Sequence, residues 1–374
     1  MLALTERFKR AHPTVEIEWQ RRSLKDFGDY PVELLAKEYD IILVDHPHVG
    51  SCAEKGTLVP LDTLIPESFL LDQEANSVGL SYESYLWKGH LYALPVDAAA
   101  QVASCRPDLL GTDALPATWK QVIELAEALP KGRKIGWPLC PTDAVCSFLS
   151  LCADIGGFHF FDEAAGIRPE AGAAAIAQMF ELLPYLHESS LSSNPIQMYD
   201  HMVASRDIVY VPLAFGYSNY ARPEYGDERL RFADIPTNSG VPKGSLLGGV
   251  GMAVSSYSKR IPLAVEFAML TAAPEIQRTV YFQAGGQPAH VSAWRDEDVN
   301  RMSGGFFANT WQTLQQSYLR PRNRIFPKFQ EQAGILIHKA LCARQAGEHV
   351  SAAETVSELN GLYRALMKED EIDL

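Results

Sequence analysis

Short apolar runs and amphipathic stretches alternate along most of this chain, and together they predict an α/β protein. Residues 40–45 are a continuous apolar run bounded by aspartates, which is typical of a parallel strand buried on both faces. Residues 207–212 and 248–254 predict further strands. Residues 15–19 alternate apolar with polar side chains, as a half-buried strand does.

Helical spacing of apolar residues accounts for much of the remaining chain. Residues 1–8 have this spacing, and residues 144–155 are apolar enough for a buried helix. Thr118 and Gln121 have the spacing of a capping box, which predicts that a helix begins directly after Thr118. The other predicted helices are residues 172–186 and a C-terminal helix capped by Ser351 and Glu354.

The stretch at residues 87–110 carries the clearest local signals. A short apolar run at residues 91–94 predicts a strand, and Pro95 then removes a ladder donor and ends it. Asp97 follows in a segment that is otherwise poor in charge. We interpret this pattern as a chain that leaves one structural unit for another and delivers one carboxylate at the crossing.

Composition and charge narrow the classes of partner. The 374 residues are enough for two domains, and 47% hydrophobic with 21% charged residues is ordinary for a globular protein. The net charge of -13 argues against nucleic acids and anionic membranes as partners, because both select basic surfaces. No apolar run reaches the length that spans a bilayer. The sequence signatures of nucleophilic hydrolases, phosphate loops, dinucleotide folds and zinc proteases are absent.

The six cysteines point to packing rather than to chemistry. None of them forms a Cys-x-x-Cys pair, and Cys140, Cys146 and Cys152 lie among apolar residues. Such cysteines behave as small buried hydrophobic side chains. The cysteines therefore predict no disulfide framework. We also expect no bound metal and no cofactor.

Several short motifs together resemble one family. The first block reads KGHLYALPVD at residues 88–97, RPDLL at 106–110 and LPATW at 115–119, and the second reads GGVGMAV at 248–254 and GGQP at 285–288. In order and spacing these motifs are similar to the maltose-binding-protein-like group, the family 1 extracellular solute-binding proteins of ATP-binding-cassette importers. The resemblance implies an α/β periplasmic-binding-protein fold of type II, with two lobes, a hinge of crossing strands and a ligand in the interlobe cleft.

The same resemblance implies an organisation and a function. The expected N-terminal lobe is residues 1–95 plus 243–305, and the expected C-terminal lobe is residues 96–242 plus 306–374. The implied function is the substrate-binding protein of an importer, which captures a small polar solute, by family default a carbohydrate or polyol. The expected partners are that solute and the permease subunits, with no nucleic acid. We expect a monomer that is periplasmic or extracellular.

The N-terminus keeps two alternatives open. Residues 1–8 lack the sectors of a signal peptide, whereas family members carry a signal peptide and a first β-strand ahead of this helix. We therefore expect the given chain to start late, the alternative being a cytoplasmic relative. In that case the favoured function is a soluble α/β enzyme that acts on a small polar substrate through Asp97 or His46. A sensor that keeps the lobes without transport is the third reading.

Aromatic and acidic residues make up the first set of site candidates, because sugars and polyols present CH faces to rings and hydroxyls to carboxylates. The resemblance places a stacking aromatic near Phe215, Tyr217 and Tyr220, although core packing explains such rings about as well. Asp97 matches the family's acidic residue just beyond the hinge proline. Its alternative role is to cap a turn or a helix.

Charged residues near strand ends make up the second set. Asp45, His46 and His48 follow the apolar run at residues 40–45, at a strand's carboxyl end, where open α/β sheets place their ligands. Two histidines at this spacing are a weak metal signal, so a cleft-lining or turn role is favoured. Arg320 lies in the region of the third crossing, where it can pair with a ligand carboxylate or form a salt bridge within the protein.

The remaining candidates are Thr142, Asp143 and Gly249. The first two lie in the loop after Trp137, which faces the cleft in the family. Relatives usually have an aromatic residue there, and this departure argues against a long oligosaccharide as ligand. Gly249 lets a backbone amide approach a ligand, or it serves a backbone position that needs a positive φ.

Overall fold

The structure is a computed structural model that describes residues 1–21, 32–110, 115–226 and 228–372. It divides into two compact units, each assembled from three separate stretches of chain. The first unit comprises Met1–Ala99, Leu247–Arg301 and Leu319–Arg324, and the second comprises Ala100–Leu246, Met302–Tyr318 and Ile325–Leu374. Each unit has its own buried core.

These boundaries differ from the predicted lobes at one important place. The segment Leu319–Arg324 belongs to the first unit, whereas the sequence assigns all of residues 306–374 to the C-terminal lobe. The physical reason is a set of polar contacts with the first unit, in which Arg320 pairs with Asp45 and Arg322 donates to the backbone oxygen of Leu86 at 2.5 Å. A predicted lobe boundary based on motif spacing does not detect such a return of the chain.

The strands and helices alternate as the apolar pattern predicts. The strands are β1 Ile41–Val44, β2 Leu86–Trp87, β3 His90–Leu91, β4 Leu94–Cys105, β5 Lys134–Ile135, β6 Phe161–Asp162, β7 Gly166–Ile167, β8 Ile208–Phe215, β9 Arg231–Ala233 and β10 Leu247–Val254. The longer helices are Leu2–Lys9, Glu67–Asn76, Trp119–Ala128, Pro141–Gly156, Pro169–Leu182, Pro195–Ala204, Ile261–Ala272, Phe326–Gln345 and Ala352–Ile372. The shorter helices are Val32–Glu38, Val49–Glu54, Pro107–Leu110, Pro274–Ile276, Val291–Trp294, Glu297–Met302, Phe306–Asn309 and Trp311–Gln315, with a π-helical turn at Gln277–Tyr281.

In the first unit β1 pairs with β10, so that Ile41 lies opposite Val254 and Val44 opposite Gly251. The pairing is antiparallel, and the prediction of a parallel strand at this position is wrong. An apolar run reports burial, and it contains no information about the direction of the neighbouring strand. In addition, the burial of β1 alternates along the strand instead of being complete on both faces.

The strand β4 is much longer than the predicted strand at residues 91–94. It begins at Leu94 and continues for 12 residues to Cys105, with Pro95 at its second position. Proline near the start of a strand removes only one ladder donor, so the following small and apolar residues can continue the strand. In the second unit, β8 and β9 both pair antiparallel with β4, and β5 pairs parallel with β8.

Residues 15–19 are not a strand, although their side chains alternate. They follow the first helix in an irregular path, and the indole N–H of Trp19 donates to Thr5 Oγ1 at 2.9 Å. A strand exists only where a neighbour supplies ladder hydrogen bonds, and here the polar contact is with a helix instead. The alternation of Val15, Ile17 and Trp19 is thus satisfied by packing against the core of the first unit.

The predicted helix caps are confirmed. Thr118 and Gln121 form a capping box at the start of Trp119–Ala128, and the backbone N–H of Glu354 donates to Ser351 Oγ at 3.3 Å. The helix predicted at residues 144–155 begins earlier, at Pro141, because proline is preorganised for the first helical position. All six cysteines are free thiols. None of the described helices is long and apolar enough to cross a membrane.

Candidate functional site

In the first unit, the residue after β1 is held by an arginine from the returning segment Leu319–Arg324. Asp45 accepts two hydrogen bonds from Arg320 Nη2, at 2.8 and 2.9 Å, and a third from the backbone N–H of His46 at 2.9 Å. The Arg320 side chain is 3% exposed and that of Asp45 19% exposed. Both residues are predicted ligand contacts, and the structure pairs them with each other.

The electrostatics of this cluster are those of a compensated ion pair. Burial by itself would raise the pKa of Asp45, but the Arg320 charge and the hydrogen bond from His46 hold it well below its usual range. Burial and the Arg320 charge lower the pKa of His46 to about 4, so the imidazole is neutral at physiological pH. His46 is fully buried, and among the described residues its Nε2 has no hydrogen-bond partner. His48 lies half-buried in the same short 3-10 helix.

Asp97 is a different kind of acid. It lies on β4, is half-buried, and within the described residues no lysine or arginine forms an ion pair with it. Burial raises the pKa of Asp97 to about 7, against the lowering effect of a hydrogen bond from the Gln287 backbone. Gln287 also fixes the strand beside it, because its Nε2 donates to the Ala98 carbonyl at 3.0 Å. Asp97 therefore presents an uncompensated carboxyl group on a well-anchored strand.

Gly249 lies on β10 at the point where this strand approaches Asp97. A Cβ atom at Gly249 would lie 2.3 Å from the Asp97 carbonyl oxygen, and its φ of +117° disfavours any residue with a side chain. The close approach of the two strands accounts for this glycine.

In the second unit, Thr142 and Asp143 lie in the first turn of Pro141–Gly156 and not in a loop as predicted. Thr142 is exposed, whereas Asp143 is only 6% exposed. The Asp143 carboxylate accepts from the Cys140 thiol at 3.1 Å, and no described lysine or arginine forms an ion pair with it. Burial raises the pKa of Asp143 to about 7. Asp143 is thus a second acid without a counter-charge.

The three predicted aromatics lie at the carboxyl end of β8 in different environments. Phe215 is the last residue of the strand and Tyr217 lies two positions later, and both are half-buried. Tyr220 is only 4% exposed, and its hydroxyl donates to Asp200 at 2.7 Å. Its ring lies 5.2 Å from the buried ring of Tyr199. Tyr220 is a core residue, and only Phe215 and Tyr217 keep a partly open ring.

The sequence does not reveal a buried polar network that supports Asp143 and Phe215. Gln101 on β4 is paired with Phe215, and its side chain bonds Ser147 at 3.3 Å and Ser150 at 2.6 Å. Ser147 also accepts from the indole of Trp137 at 3.0 Å. Because both serines belong to the helix that begins beside Asp143, the network anchors that helix to the strand. The sequence signal that could have revealed this network is the pair Ser147 and Ser150, two polar residues three positions apart in an otherwise apolar helix.

Comparison with known proteins identifies the family to which this chain belongs. The sequence profile of the bacterial extracellular solute-binding protein family matches residues 3–302 of this chain. The chain therefore belongs to that family, and the resemblance stated from its motifs is confirmed.

Similar solved structures show the fold. Maltose-bound MalE3 of T. maritima matches with a TM-score of 0.81 at 17% identity, over 97% of this chain and 95% of that one. A solute-binding protein from Agrobacterium vitis S4 with bound D-mannitol matches with a TM-score of 0.78 at 16% identity, over 99% and 95%. The two-lobed α/β fold of periplasmic binding proteins is thereby confirmed.

Curated relatives match this chain over only part of their length. A probable amino-acid ABC transporter periplasmic-binding protein of Sinorhizobium fredii is 26% identical over 200 residues, which are 51% of this chain and 44% of that protein. The mannitol-binding protein of Pseudomonas aeruginosa is 26% identical over 177 residues, which are 44% of this chain and 39% of that protein. The matched region thus spans less than half the length of these relatives.

Proposed function

We propose that this protein is the substrate-binding component of an ATP-binding-cassette importer and that its solute is a small polyol or sugar. The family, the mannitol-bound structure and the mannitol-binding relative support this class of solute. The protein acts outside the cytoplasm, in the periplasm or at the cell surface, as a monomer that delivers solute to permease subunits. It binds its solute without converting it.

The observation that carries the proposal is the pair of uncompensated acids, one in each unit. Burial raises the pKa of Asp97 and of Asp143 to about 7, and within the described residues neither forms an ion pair with lysine or arginine. A buried carboxylate is costly unless donors surround it, and the hydroxyls of a polyol are such donors. Phe215 and Tyr217 supply partly open rings for the CH face of the same class of solute.

The acids also favour one second class of solute. An amino acid carries an ammonium group, which pairs with a carboxylate more strongly than a hydroxyl does. The Sinorhizobium relative is described as an amino-acid binding protein, so amino acids belong in the same test. The compensated Asp45–Arg320 pair gives no separate preference, because neither charge is left over for a ligand.

A thermal-shift screen over mannitol, ribitol, tagatose, maltose and the amino acids tests the proposal. We expect a polyol or monosaccharide to raise the melting temperature. Maltose should be weaker, because this chain departs from the aromatic residue that the family resemblance implies near Asp143. Calorimetry on Asp97→Asn and Asp143→Asn should then show an affinity at least about tenfold lower, since a charged hydrogen bond contributes about 1.5–3 kcal/mol.

The exposed Asp298, whose side chain is 79% accessible, offers the matched control Asp298→Asn, which should bind as the wild type does. If an amino acid is the only compound that raises the melting temperature, the solute is an amino acid and not a polyol. A hit that both acid variants bind with unchanged affinity would place the site elsewhere. Conversion of the hit during the titration would favour an enzyme.

A further inference from the structure

A second cluster of chemically active side chains lies at the amino end of β8, far from Phe215. His187 precedes the short turn Glu188–Leu191, His201 lies in the last turn of Pro195–Ala204, and Asp207 directly precedes β8. All three belong to the second unit. Eight residues of β8 separate this cluster from the candidate site, which is about 26 Å at the usual rise of a strand.

The three side chains converge with the spacing of metal ligands. His201 Nε2 lies 2.9 Å from Asp207 Oδ1, and His187 Nε2 lies 3.4 Å from Asp207 Oδ2. One ligand atom from each residue can be chosen so that all three lie within 4.8 Å of one another. Donor atoms about 2.1 Å from a tetrahedral zinc ion lie about 3.4 Å apart. The two histidine–aspartate separations, 2.9 and 3.4 Å, are close to that value.

Neighbouring polar groups hold these side chains in place. His187 Nδ1 accepts a hydrogen bond from the Ser189 backbone N–H at 3.2 Å and lies 2.8 Å from Ser189 Oγ, so the ring is held with Nε2 toward Asp207. The Asp207 carboxylate accepts from the hydroxyl of Ser205, and its backbone oxygen accepts from Lys134 N–H at 2.6 Å. Such an outer layer is what orients the ligands of a metal site.

We propose that His187, His201 and Asp207 bind a divalent transition-metal ion, with Zn²⁺ as the representative ion. Two imidazoles and one carboxylate are a donor set that favours zinc, nickel or cobalt over magnesium and calcium. The side chains are 13%, 32% and 38% exposed, so an ion can reach them from solvent. The ion would join the His187 turn, the helix Pro195–Ala204 and β8, and would stabilise the second unit independently of the solute site.

The test uses the full chain after removal of metals with a chelator. Zn²⁺ binding is measured by competition with a chromophoric chelator, and Co²⁺ serves as a spectroscopic probe of the ligands. We expect one equivalent of Zn²⁺ and a Co²⁺ spectrum without the thiolate charge-transfer band that cysteine ligands would give. His187→Asn, His201→Asn and Asp207→Asn should each weaken Zn²⁺ binding by more than about 10-fold, because loss of an outer-layer partner alone costs about 10- to 100-fold.

The matched control is His90→Asn. His90 also pairs with a carboxylate, that of Asp62 at 2.9 Å, but within the part of the chain that the structure describes it does not belong to a group of three converging metal-binding side chains. Its loss should therefore leave Zn²⁺ affinity unchanged. Circular dichroism of each variant without metal checks the fold, and solute affinity should be the same in His201→Asn and wild type. Absence of Zn²⁺, Ni²⁺ and Co²⁺ binding in the wild type would overturn the proposal. So would unchanged Zn²⁺ affinity in the three ligand variants.

Discussion

The guanidinium group of Arg320 holds both carboxylate oxygens of Asp45, at 2.8 and 2.9 Å, although 275 positions separate the two residues. Each residue by itself has the appearance of a ligand contact, since one ends a buried strand and the other lies in a basic cluster. Paired, they satisfy each other and bring the segment Leu319–Arg324 into the first unit. We therefore expect this pair to stabilise that unit.

Arg320→Met should destabilise the protein strongly. Removal of one partner from a buried ion pair leaves the other charge uncompensated, which costs about 3–5 kcal/mol. Urea unfolding measures this loss, and the double variant Arg320→Met with Asp45→Asn should recover part of it. The exposed pair Lys328–Glu369 is the control, since Glu369→Gln should cost less than about 1 kcal/mol. An equal cost at both pairs would contradict the stabilising role of the Asp45–Arg320 pair.

Gly249→Ala should also destabilise the protein, for a steric reason. The new Cβ atom would lie 2.3 Å from the Asp97 carbonyl oxygen, at a φ of +117°. We expect a loss of roughly 2–4 kcal/mol in the free energy of unfolding. Gly361→Ala is the matched control, because nothing lies within 4 Å of its Cβ position and the residue is within a helix. That change should stabilise by about 0.5–1 kcal/mol, and similar effects at the two glycines would refute the close approach.

Asp143 should make the stability of the protein fall as the pH rises. Burial raises its pKa to about 7 in the folded state, from an ordinary value of 3.8, so the folded state holds this proton more tightly than the unfolded state does. The stability contributed by the proton is fully present below pH 3.8 and is lost as the pH rises through 7. At about 1.4 kcal/mol per pKa unit, the loss approaches roughly 4 kcal/mol.

Unfolding free energies from pH 4 to pH 8 test this effect. Asp143→Asn removes the titrating group, so the fall in stability with pH should be smaller in the variant by roughly 2–4 kcal/mol. The exposed Asp298→Asn should leave the pH dependence of the wild type unchanged. Parallel curves for wild type and Asp143→Asn would show that Asp143 is already solvated or paired in the folded protein.

Phe215 and Tyr217 should contribute to solute affinity, and Tyr220 should not. Loss of a ring that covers a sugar face costs about 1.5–3 kcal/mol, or roughly 10- to 150-fold in affinity. Because Phe215 also packs against the core, Phe215→Leu keeps most of its burial while it removes the aromatic face. Tyr220→Phe removes the hydroxyl that donates to Asp200 and to the Ile196 carbonyl, and should reduce stability without changing solute affinity. If calorimetry shows that Tyr220→Phe lowers solute affinity and Phe215→Leu does not, then Tyr220 contacts the solute and Phe215 serves only the core.

Solute binding at Asp97 should release a proton near neutral pH. Burial raises the pKa of Asp97 to about 7, and hydroxyl donors favour its ionised form, so a bound polyol lowers that pKa. Affinity should therefore increase between pH 6 and pH 8, by up to about tenfold per pH unit below the pKa. Calorimetry in buffers of different ionisation enthalpy measures the proton directly. Asp97→Asn should abolish the part of the proton release that comes from Asp97. If the release is unchanged in this variant, the proton comes from another group.

The parts of this protein that its sequence predicts well depend on neighbours along the chain. Thr118 caps its helix through Gln121, three positions later, and Ser351 caps another through Glu354. Gly249 and Asp97 also stand out from their immediate neighbours in the sequence. Gly249 is a glycine at the start of an apolar run, and Asp97 is an acid in a segment that is otherwise poor in charge. The family resemblance also rests on short motifs in order. The sheet is different, because the direction and length of β1 and β4 depend on strands that are distant in sequence.

The candidate site, like the fold, has features that follow from the sequence and features that depend on the tertiary structure. The sequence by itself determined the class of fold, the helix ends and the residue types that favour a polar solute, since periodicity and side-chain chemistry are properties of short segments. Only the tertiary structure decided that Arg320 compensates Asp45, that Tyr220 is a core residue and that Asp143 lies buried in a helix. It alone placed His187, His201 and Asp207 together. Charge compensation and burial depend on which distant residues meet in the fold, and no local pattern in the sequence contains that information.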